Sequence, residues 1–152
     1  MSIGRYMAPA SRSGSGQIGA SAVESRLNDV ASAIEYWVNY HRRAKRAWAT
    51  PLSQKDWHSK RLARYVGGPF EEFVGDIKKW GNRFWDRYGD LKHDSSLKYD
   101  PNEIYLLAES GRILLTCALL NQVALKKLPS KVICESHRTH DLGTDVRELL
   151  GA

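Results

Sequence analysis

The sequence contains little cysteine and no long apolar segment. Cys117 and Cys134 are the two cysteines among 152 residues, which does not suggest a disulfide framework and fits a reducing cytosol. The most apolar stretch, residues 113–125, is interrupted by polar side chains and is shorter than the ~20 residues that a bilayer span requires. We therefore expect a cytoplasmic protein with no membrane partner, in which this stretch forms a buried core helix.

Several functional signatures are also missing. The N-terminal residues contain no apolar core with a cleavage-like run, so they do not form a secretory signal. Gly67 and Gly68 lie between two predicted helices and do not form a phosphate-binding loop after a strand. His93, Asp94 and Ser95 are neighbours in sequence, which does not make a hydrolase triad, because triads are assembled in space.

The overall composition is that of one globular domain with a basic surface. The chain is 42% hydrophobic and 26% charged, and its length is sufficient for a single hydrophobic core. A net charge of +6 and a pI near 9.4 make a polyanion a natural partner, with nucleic acid the first candidate. Charge alone does not establish this, because many proteins merely have basic surfaces.

Composition and periodicity divide the chain into three parts. Residues 1–20 are rich in Gly, Ser and Ala without periodicity, so we expect a flexible arm, which is also where a junction to an upstream segment would lie. Residues 21–128 show apolar residues at three- and four-residue spacing, which predicts an α-helical bundle. Residues 129–152 are interpreted as an irregular tail with a β-like run at 131–134 and a short helix after Thr144.

Within the bundle the pattern predicts four main helices. The first begins near Ser21 and ends in a basic run before Pro51. The second is capped by Thr50 or Ser53 and ends at Val66. The third, from 69 to 89, carries a stripe of mostly aromatic residues and ends at a glycine. The fourth, from about 100 to 127, starts with an Asp cap followed three residues later by Glu103. Gly81 is expected to mark the close approach of another helix.

Arg87 and His93 are the first candidate site residues, because they are predicted to flank the end of the third helix. A histidine can transfer the proton of a ribose 2′-hydroxyl without a metal, and an arginine can stabilise the charge that develops on phosphorus. Asp90 is a candidate to orient the imidazole, and Lys92 to bind phosphate. Taken alone, an Arg and a His at such a place are more often ordinary surface residues.

Further candidate RNA contacts are basic residues on the first and third helices. They are Arg83, Arg42, Arg43 and Arg46, with Lys92. The three on the first helix are more readily explained as cations at a helix C-terminus, where the helix dipole stabilises them, than as RNA contacts. Tyr36, Tyr40 and Trp48 lie among them, where they serve either as stacking partners for unpaired bases or as part of the core.

A second cluster near the C-terminus has metal-ligand residue types. Cys134, His137, His140 and Asp141 fall within eight positions, but their spacing is not that of a familiar zinc finger. We interpret the cluster as an ordinary polar segment, and we expect neither a metal nor another cofactor.

The Arg–His motif and the helices around it resemble the HEPN domains (higher eukaryotes and prokaryotes nucleotide-binding). The HEPN signature is Arg, four to six residues, then His, and here it reads Arg87-Tyr-Gly-Asp-Leu-Lys-His93. The segment from 99 to 120 is similar to the last long helix of the ApeA-type HEPN domain, and the resemblance covers residues 25–128. It implies a four- to five-helix bundle, a homodimer in which two Arg–His pairs line one cleft, and metal-independent cleavage of single-stranded RNA, usually in phage defence or as a toxin.

Two departures from the family pattern leave a second interpretation open. Active members commonly carry Asn, Asp or His directly after the Arg, where this chain has Tyr88. ApeA-type proteins also have a large N-terminal region, where this sequence has the Gly/Ser-rich residues 1–20. The alternative is a catalytically inert helical module that docks a partner protein such as an antitoxin or a sensor. Geometry discriminates between them: Arg87 and His93 that face each other across a dimer seam in an open basic cleft favour the enzyme, and side chains that point apart or lie beneath the tail favour the module.

Overall fold

The chain folds into a bundle of α-helices. The computed structural model describes residues 2–94, 96 and 98–152, with side chains described from Ala22 onward apart from the same gaps. This part of the chain contains seven α-helices, a single 3-10 turn at Ala47–Ala49 and no strand. The helices are α1 (Ser2–Arg43), α2 (His58–Val66), α3 (Gly68–Val74), α4 (Ile77–His93), α5 (Pro101–Ala124), α6 (Leu128–Cys134) and α7 (His137–Leu150). The all-α prediction is therefore confirmed, whereas the predicted arm at 1–20 lies outside the residues with described side chains.

Helix α5 lies at the centre of the bundle and packs against α1, α2, α6 and α7. Aromatic side chains of α4 pack on it: the ring of Phe84 lies against Gly111, and the indole of Trp80 donates a hydrogen bond to Ser110 Oγ at 2.9 Å in the buried core. Asp100 caps the helix by accepting from the amide of Asn102, and Pro101 occupies the first turn, where its missing N–H costs nothing. None of the helices in the described residues combines the length and hydrophobicity of a membrane span.

The segment between α1 and α2 is longer than predicted. Helix α1 ends at Arg43, and α2 begins at His58 rather than at a cap on Thr50 or Ser53. The buried guanidinium of Arg61 donates to the backbone carbonyls of Ala49 and Asp56, which ties this irregular segment to α2. The hydrogen bonds from Arg61 satisfy these buried carbonyls, so the segment does not need to be helical.

The third predicted helix is divided into α3 and α4. Gly75 has φ +87°, a left-handed conformation that suits glycine, and Asp76 then caps α4 by accepting from the amide of Lys79. The aromatic side chains of α3 and α4 still pack together across this break: Phe70 lies edge-on against Trp80, with ring centroids 5.0 Å apart.

Helix α4 continues through Gly89 to His93, so Gly89 is not the predicted helix stop. Tyr88 and Leu91 on either side of it are buried, and their packing outweighs the ~1 kcal/mol that glycine costs in a helix interior. Arg87 and His93 consequently lie on one helix and do not flank its end, which corrects the prediction.

Residues 129–152 are not an irregular tail. The β-like run at 131–134 belongs to α6, and α7 begins at His137 rather than after Thr144. Cys134, Val146 and Leu150 are buried against the bundle, so the apolar residues of this region follow a helical period.

Two glycines mark close helix contacts. A Cβ at Gly81 would collide with Lys60 of α2, and Ser59 Oγ donates to the Gly81 carbonyl at 2.9 Å, which confirms the predicted close approach. A Cβ at Gly111 would lie 2.6 Å from the ring of Phe84. The contact at Gly111 lets α4 and α5 pack closely.

Candidate functional site

Arg87 is held in place by three groups at the junction of α4 and α5. Its Nε donates to Glu103 Oε1 at 2.7 Å, and its Nη1 lies 3.6 Å from Asp90 Oδ2. The guanidinium carbon lies 4.4 Å from the ring centroid of Tyr99, a distance typical of a cation–π contact. The side chain is thus fixed in one orientation while part of it remains exposed to solvent.

Glu103 is the residue that organises this junction. The same Oε1 also accepts from Arg83 Nε at 3.0 Å, and Arg83 Nη1 reaches the carbonyl of Leu149 at 3.3 Å. Burial alone would raise the pKa of Glu103, but the hydrogen bonds and charges of Arg83 and Arg87 outweigh burial and lower it. Glu103 therefore stays ionised and balances two arginines.

Glu103 was identified in the sequence only as a capping-box residue. In the structure Asp100 does cap α5, whereas the Glu103 carboxylate turns to α4. Its position in the first turn of α5 was the available signal, but sequence alone does not show which helix it faces.

Asp90 and Tyr99 complete the network. The phenol of Tyr99 donates to Asp90 Oδ2 at 2.7 Å, and this hydrogen bond raises the pKa of Tyr99. Asp90 is therefore engaged by Tyr99 and Arg87 in this structure, and not by His93. Its contribution to the site is to support the arginine.

His93 is exposed at the last residue of α4. Six residues of α-helix correspond to a rise of about 9 Å and a net rotation of about 120°, so Arg87 and His93 leave α4 on different sides. Lys92 is also exposed, with Nζ 3.5 Å from the hydroxyl of Tyr88. Within one protomer the structure does not bring the Arg and the His together.

Tyr88, which follows Arg87, belongs to the core. It is buried, its ring packs against Trp85, and its hydroxyl lies 3.4 Å from Glu35 of α1. The side chain directly after Arg87, where active HEPN members commonly carry Asn, Asp or His, therefore points into the bundle here.

The Arg–His motif lies in a region that matches a known domain family. The model of Apea-like HEPN domains matches residues 28–128, well over half of the chain. The chain belongs to the ApeA-like HEPN family. The matched residues include all the side chains of the network around Glu103, which are Arg83, Arg87, Asp90, Tyr99 and Glu103 itself. No curated protein and no solved structure matches the chain significantly.

A polar pocket of about 400 Å³ opens beside the arginines of this HEPN domain. It lies between α4 and the end of α7 and is lined by Lys79, Asn82, Arg83, Asp86, Arg87 and Leu150. The guanidinium groups of Arg83 and Arg87 are thus reachable from solvent as well as bound to Glu103.

Three of the candidate RNA contacts form a separate basic patch at the C-terminal end of α1. Arg42, Arg43 and Arg46 are exposed there, and none has a carboxylate within ion-pair distance in the described residues. Tyr36 and Tyr40 are exposed on adjacent turns. The patch thus combines uncompensated cations with aromatic rings.

Trp48 has a different role from the two tyrosines. It stacks on Tyr65 with centroids 4.3 Å apart and lies 5.2 Å from the ring of buried His41. The indole therefore anchors the segment after α1.

The metal-ligand residue types near the C-terminus do not converge. The buried thiol of Cys134 faces Cys117, with the two sulfur atoms 3.8 Å apart, while His137 and His140 are exposed on α7. Across the side chains that the structure describes, no three His, Cys, Asp or Glu residues are placed to share a metal ion. The hydrogen bond with Cys134 and burial raise the pKa of Cys117.

Proposed function

We propose that this HEPN domain is a metal-independent endoribonuclease that acts on single-stranded RNA as a homodimer, in phage defence or as a toxin. The observation that carries the proposal is the presentation of Arg87 and His93 at the family spacing on one regular helix. Arg87 is fixed by Glu103 and Tyr99, and His93 is exposed beyond it. A fixed cation and an accessible imidazole are the two groups that cleavage of RNA requires.

In the proposed reaction His93 accepts the proton of the ribose 2′-hydroxyl, and the partner's His93, in its protonated form, gives a proton to the leaving 5′ oxygen. The 2′ oxygen attacks phosphorus, the bond to the 5′ oxygen breaks, and a 2′,3′-cyclic phosphate forms. Arg87 stabilises the additional negative charge on the phosphoryl oxygens, and Lys92 and Arg83 contact neighbouring phosphates. Asp90 contributes by supporting Arg87.

A second copy of the chain is part of the proposal, because Arg87 and His93 leave α4 on different sides. If two α4 helices meet across a twofold axis, the partner's His93 approaches Arg87 and each cleft contains groups from both protomers. Such a seam would carry Arg83, Arg87 and Lys92 of both copies, and these cations favour a phosphate backbone as its ligand.

The patch at the end of α1 supplies the proposed path for the rest of the RNA. Arg42, Arg43 and Arg46 are exposed without carboxylate partners in the described residues and are suited to phosphates. Tyr36 and Tyr40 offer aromatic surfaces on which unpaired bases stack. This combination favours single-stranded RNA over a duplex.

A catalytically inert docking module is the second candidate, and a specific observation favours it. The charge of Arg87 is already balanced by Glu103, and Tyr88 is part of the core. In that case the HEPN frame serves dimerisation or the docking of an antitoxin or sensor protein.

The deciding experiment is cleavage of labelled single-stranded RNA in EDTA by the wild type, His93→Ala and Arg87→Lys. The lysine variant retains the positive charge beside Glu103 but loses the two-pronged guanidinium. His137→Ala is the matched control, because it removes an exposed histidine on α7. We expect cleavage with 2′,3′-cyclic ends by the wild type and the control, and at least a hundredfold less by the two site variants. RNA that stays intact with folded wild-type protein supports the docking module instead.

A further inference from the structure

The corner between α5 and α6 exposes more apolar surface than a folded core requires. Five large apolar side chains are exposed there, and they form what we call the apolar corner: Leu120, Val123, Leu125, Leu128 and Val132. The most exposed are Leu125 at 89% and Val123 at 83%. Contiguous apolar surface of this kind marks interaction sites, whereas single exposed apolar residues need no explanation.

Three residues of the apolar corner, Leu120, Leu128 and Val132, line a groove. A pocket of about 260 Å³ is lined by Leu120, Lys126, Leu128, Pro129, Val132 and Ile133. Buried hydrogen bonds fix its two walls, because Asn121 Nδ2 donates to Ser130 Oγ at 3.0 Å and Ser130 N donates to Asn121 Oδ1 at 3.1 Å. The groove is therefore preformed, and a ligand does not have to order it.

The backbone at the corner is unfavourable for the residue it carries. Leu125 has φ +55° at the C-terminal end of α5, a left-handed conformation in which glycine or asparagine is usual. Its side chain gains little from burial in return. The packing of this chain thus does not explain a leucine at this position.

The rim of the groove is basic. Lys126 lines the groove, and Lys131 is exposed next to the groove residue Val132 in the chain. Neither lysine is ion-paired with a carboxylate in the described part of the chain. Lys127, beside them, donates to the carbonyl of Tyr65 at 3.0 Å. A second copy packed symmetrically on this face would bring like charges together, so the charge favours a different partner that is acidic.

We propose that the apolar corner binds an amphipathic α-helix of a partner protein whose apolar stripe is flanked by Asp and Glu. The groove accepts apolar side chains at i, i+4 and i+7, and the carboxylates pair with Lys126 and Lys131. This surface is formed by α5 and α6 and does not involve Arg87 or His93. The inference therefore holds or fails independently of the ribonuclease proposal.

The test uses a fluorescein-labelled 16-residue helical peptide with leucines at i, i+4, i+7 and i+11 and glutamates beside them. Fluorescence anisotropy measures its affinity for the full chain, next to a peptide with lysines replacing the glutamates. We expect the glutamate peptide to bind at least tenfold more tightly. Val132→Asp should weaken it at least tenfold, and Lys126→Glu should reverse the preference between the peptides. Leu52→Asp is the matched control, because Leu52 is exposed elsewhere.

Three outcomes overturn the inference. The first is equal binding of both peptides, or of neither. The second is an equal loss of binding in Val132→Asp and Leu52→Asp, with circular dichroism showing both variants folded. The third is a dimer in sedimentation that Val132→Asp alone converts to monomer, since this would make a second copy the occupant of the groove.

Discussion

Replacing Glu103 by glutamine tests the network that fixes Arg87. Glutamine keeps the shape of the side chain but removes the charge that balances two arginines, whose side chains are 35% and 23% exposed while that of Glu103 is 10% exposed. Hydrogen bonds to charged groups contribute about 1.5–3 kcal/mol when shielded, and fully exposed ion pairs contribute about 0–1 kcal/mol. For this intermediate exposure we expect Glu103→Gln to lower the free energy of unfolding by about 2 kcal/mol.

Urea denaturation and thermal melting measure this loss. For a chain of this length, 2 kcal/mol corresponds to a Tm lower by about 4–8 °C. The pKa of Glu103 is lowered in the fold from its ordinary 4.5, because the arginines outweigh the effect of burial. Its contribution is therefore complete above pH 4.5 and is lost as the pH falls through the folded-state pKa. The difference between wild type and variant should shrink over that acidic range.

Glu109→Gln provides the matched control on the same helix. Glu109 also accepts from two arginines and its side chain is 11% exposed, but Arg26 and Arg112 are 55% and 56% exposed. Solvent screens those pairs more strongly, so we expect a loss of about 1 kcal/mol or less. If Glu103→Gln costs no more than Glu109→Gln, the reasoning about the junction is refuted.

Two further predictions concern packing and pH. Gly111→Ala should cost about 1–3 kcal/mol, because the added Cβ would lie 2.6 Å from the ring of Phe84. At Gly89 an added Cβ meets nothing within 4 Å, so Gly89→Ala should raise the free energy of unfolding by up to ~1 kcal/mol. If Gly111→Ala and Gly89→Ala change the Tm equally in melting experiments, this reasoning is contradicted. Burial, followed by the charge of Arg61, lowers the pKa of His58 from its ordinary 6.5, so the unfolded chain binds more protons and stability should fall as the pH drops below 6.5. In urea titrations from pH 7.5 to 5.5, His58→Gln should show a smaller pH-dependent loss of stability than the wild type, and parallel losses would refute the assignment.

The apolar periodicity was sufficient to predict an all-α bundle, but not where one helix gives way to the next. The dipeptide Gly-Asp occurs at 75–76 and again at 89–90. It separates α3 from α4 at the first place and lies inside α4 at the second. Leu91, which follows the second dipeptide, is buried, and its packing favours continuation of the helix. Tertiary packing decided between two identical local signals.

The residue types of the candidate site were visible in the sequence, but their pairing was not. Arg87 and Glu103 are 16 positions apart on different helices, and only the packing of α4 on α5 brings them together. Asp90 was expected to orient His93, whereas the phenol of Tyr99 reaches it first. Such pairings depend on helix rotation, which a linear pattern of residue types does not specify.

The balanced charge of Arg87 has opposite consequences for the two candidate functions. Glu103 binds the Nε of the guanidinium and Asp90 lies beside Nη1, which leaves Nη2 as the atom that can meet a phosphate. Holding Arg87 in one orientation costs the ~2 kcal/mol of side-chain entropy of an arginine before RNA binds. That cost is then not part of reaching the transition state. The Glu103 carboxylate, however, also repels an incoming anion. In an enzyme, Glu103→Gln therefore frees Arg87 from its fixed orientation and lowers kcat more than it raises KM. In an inert module the same change lowers stability alone, so stability and cleavage measured on one variant distinguish the two.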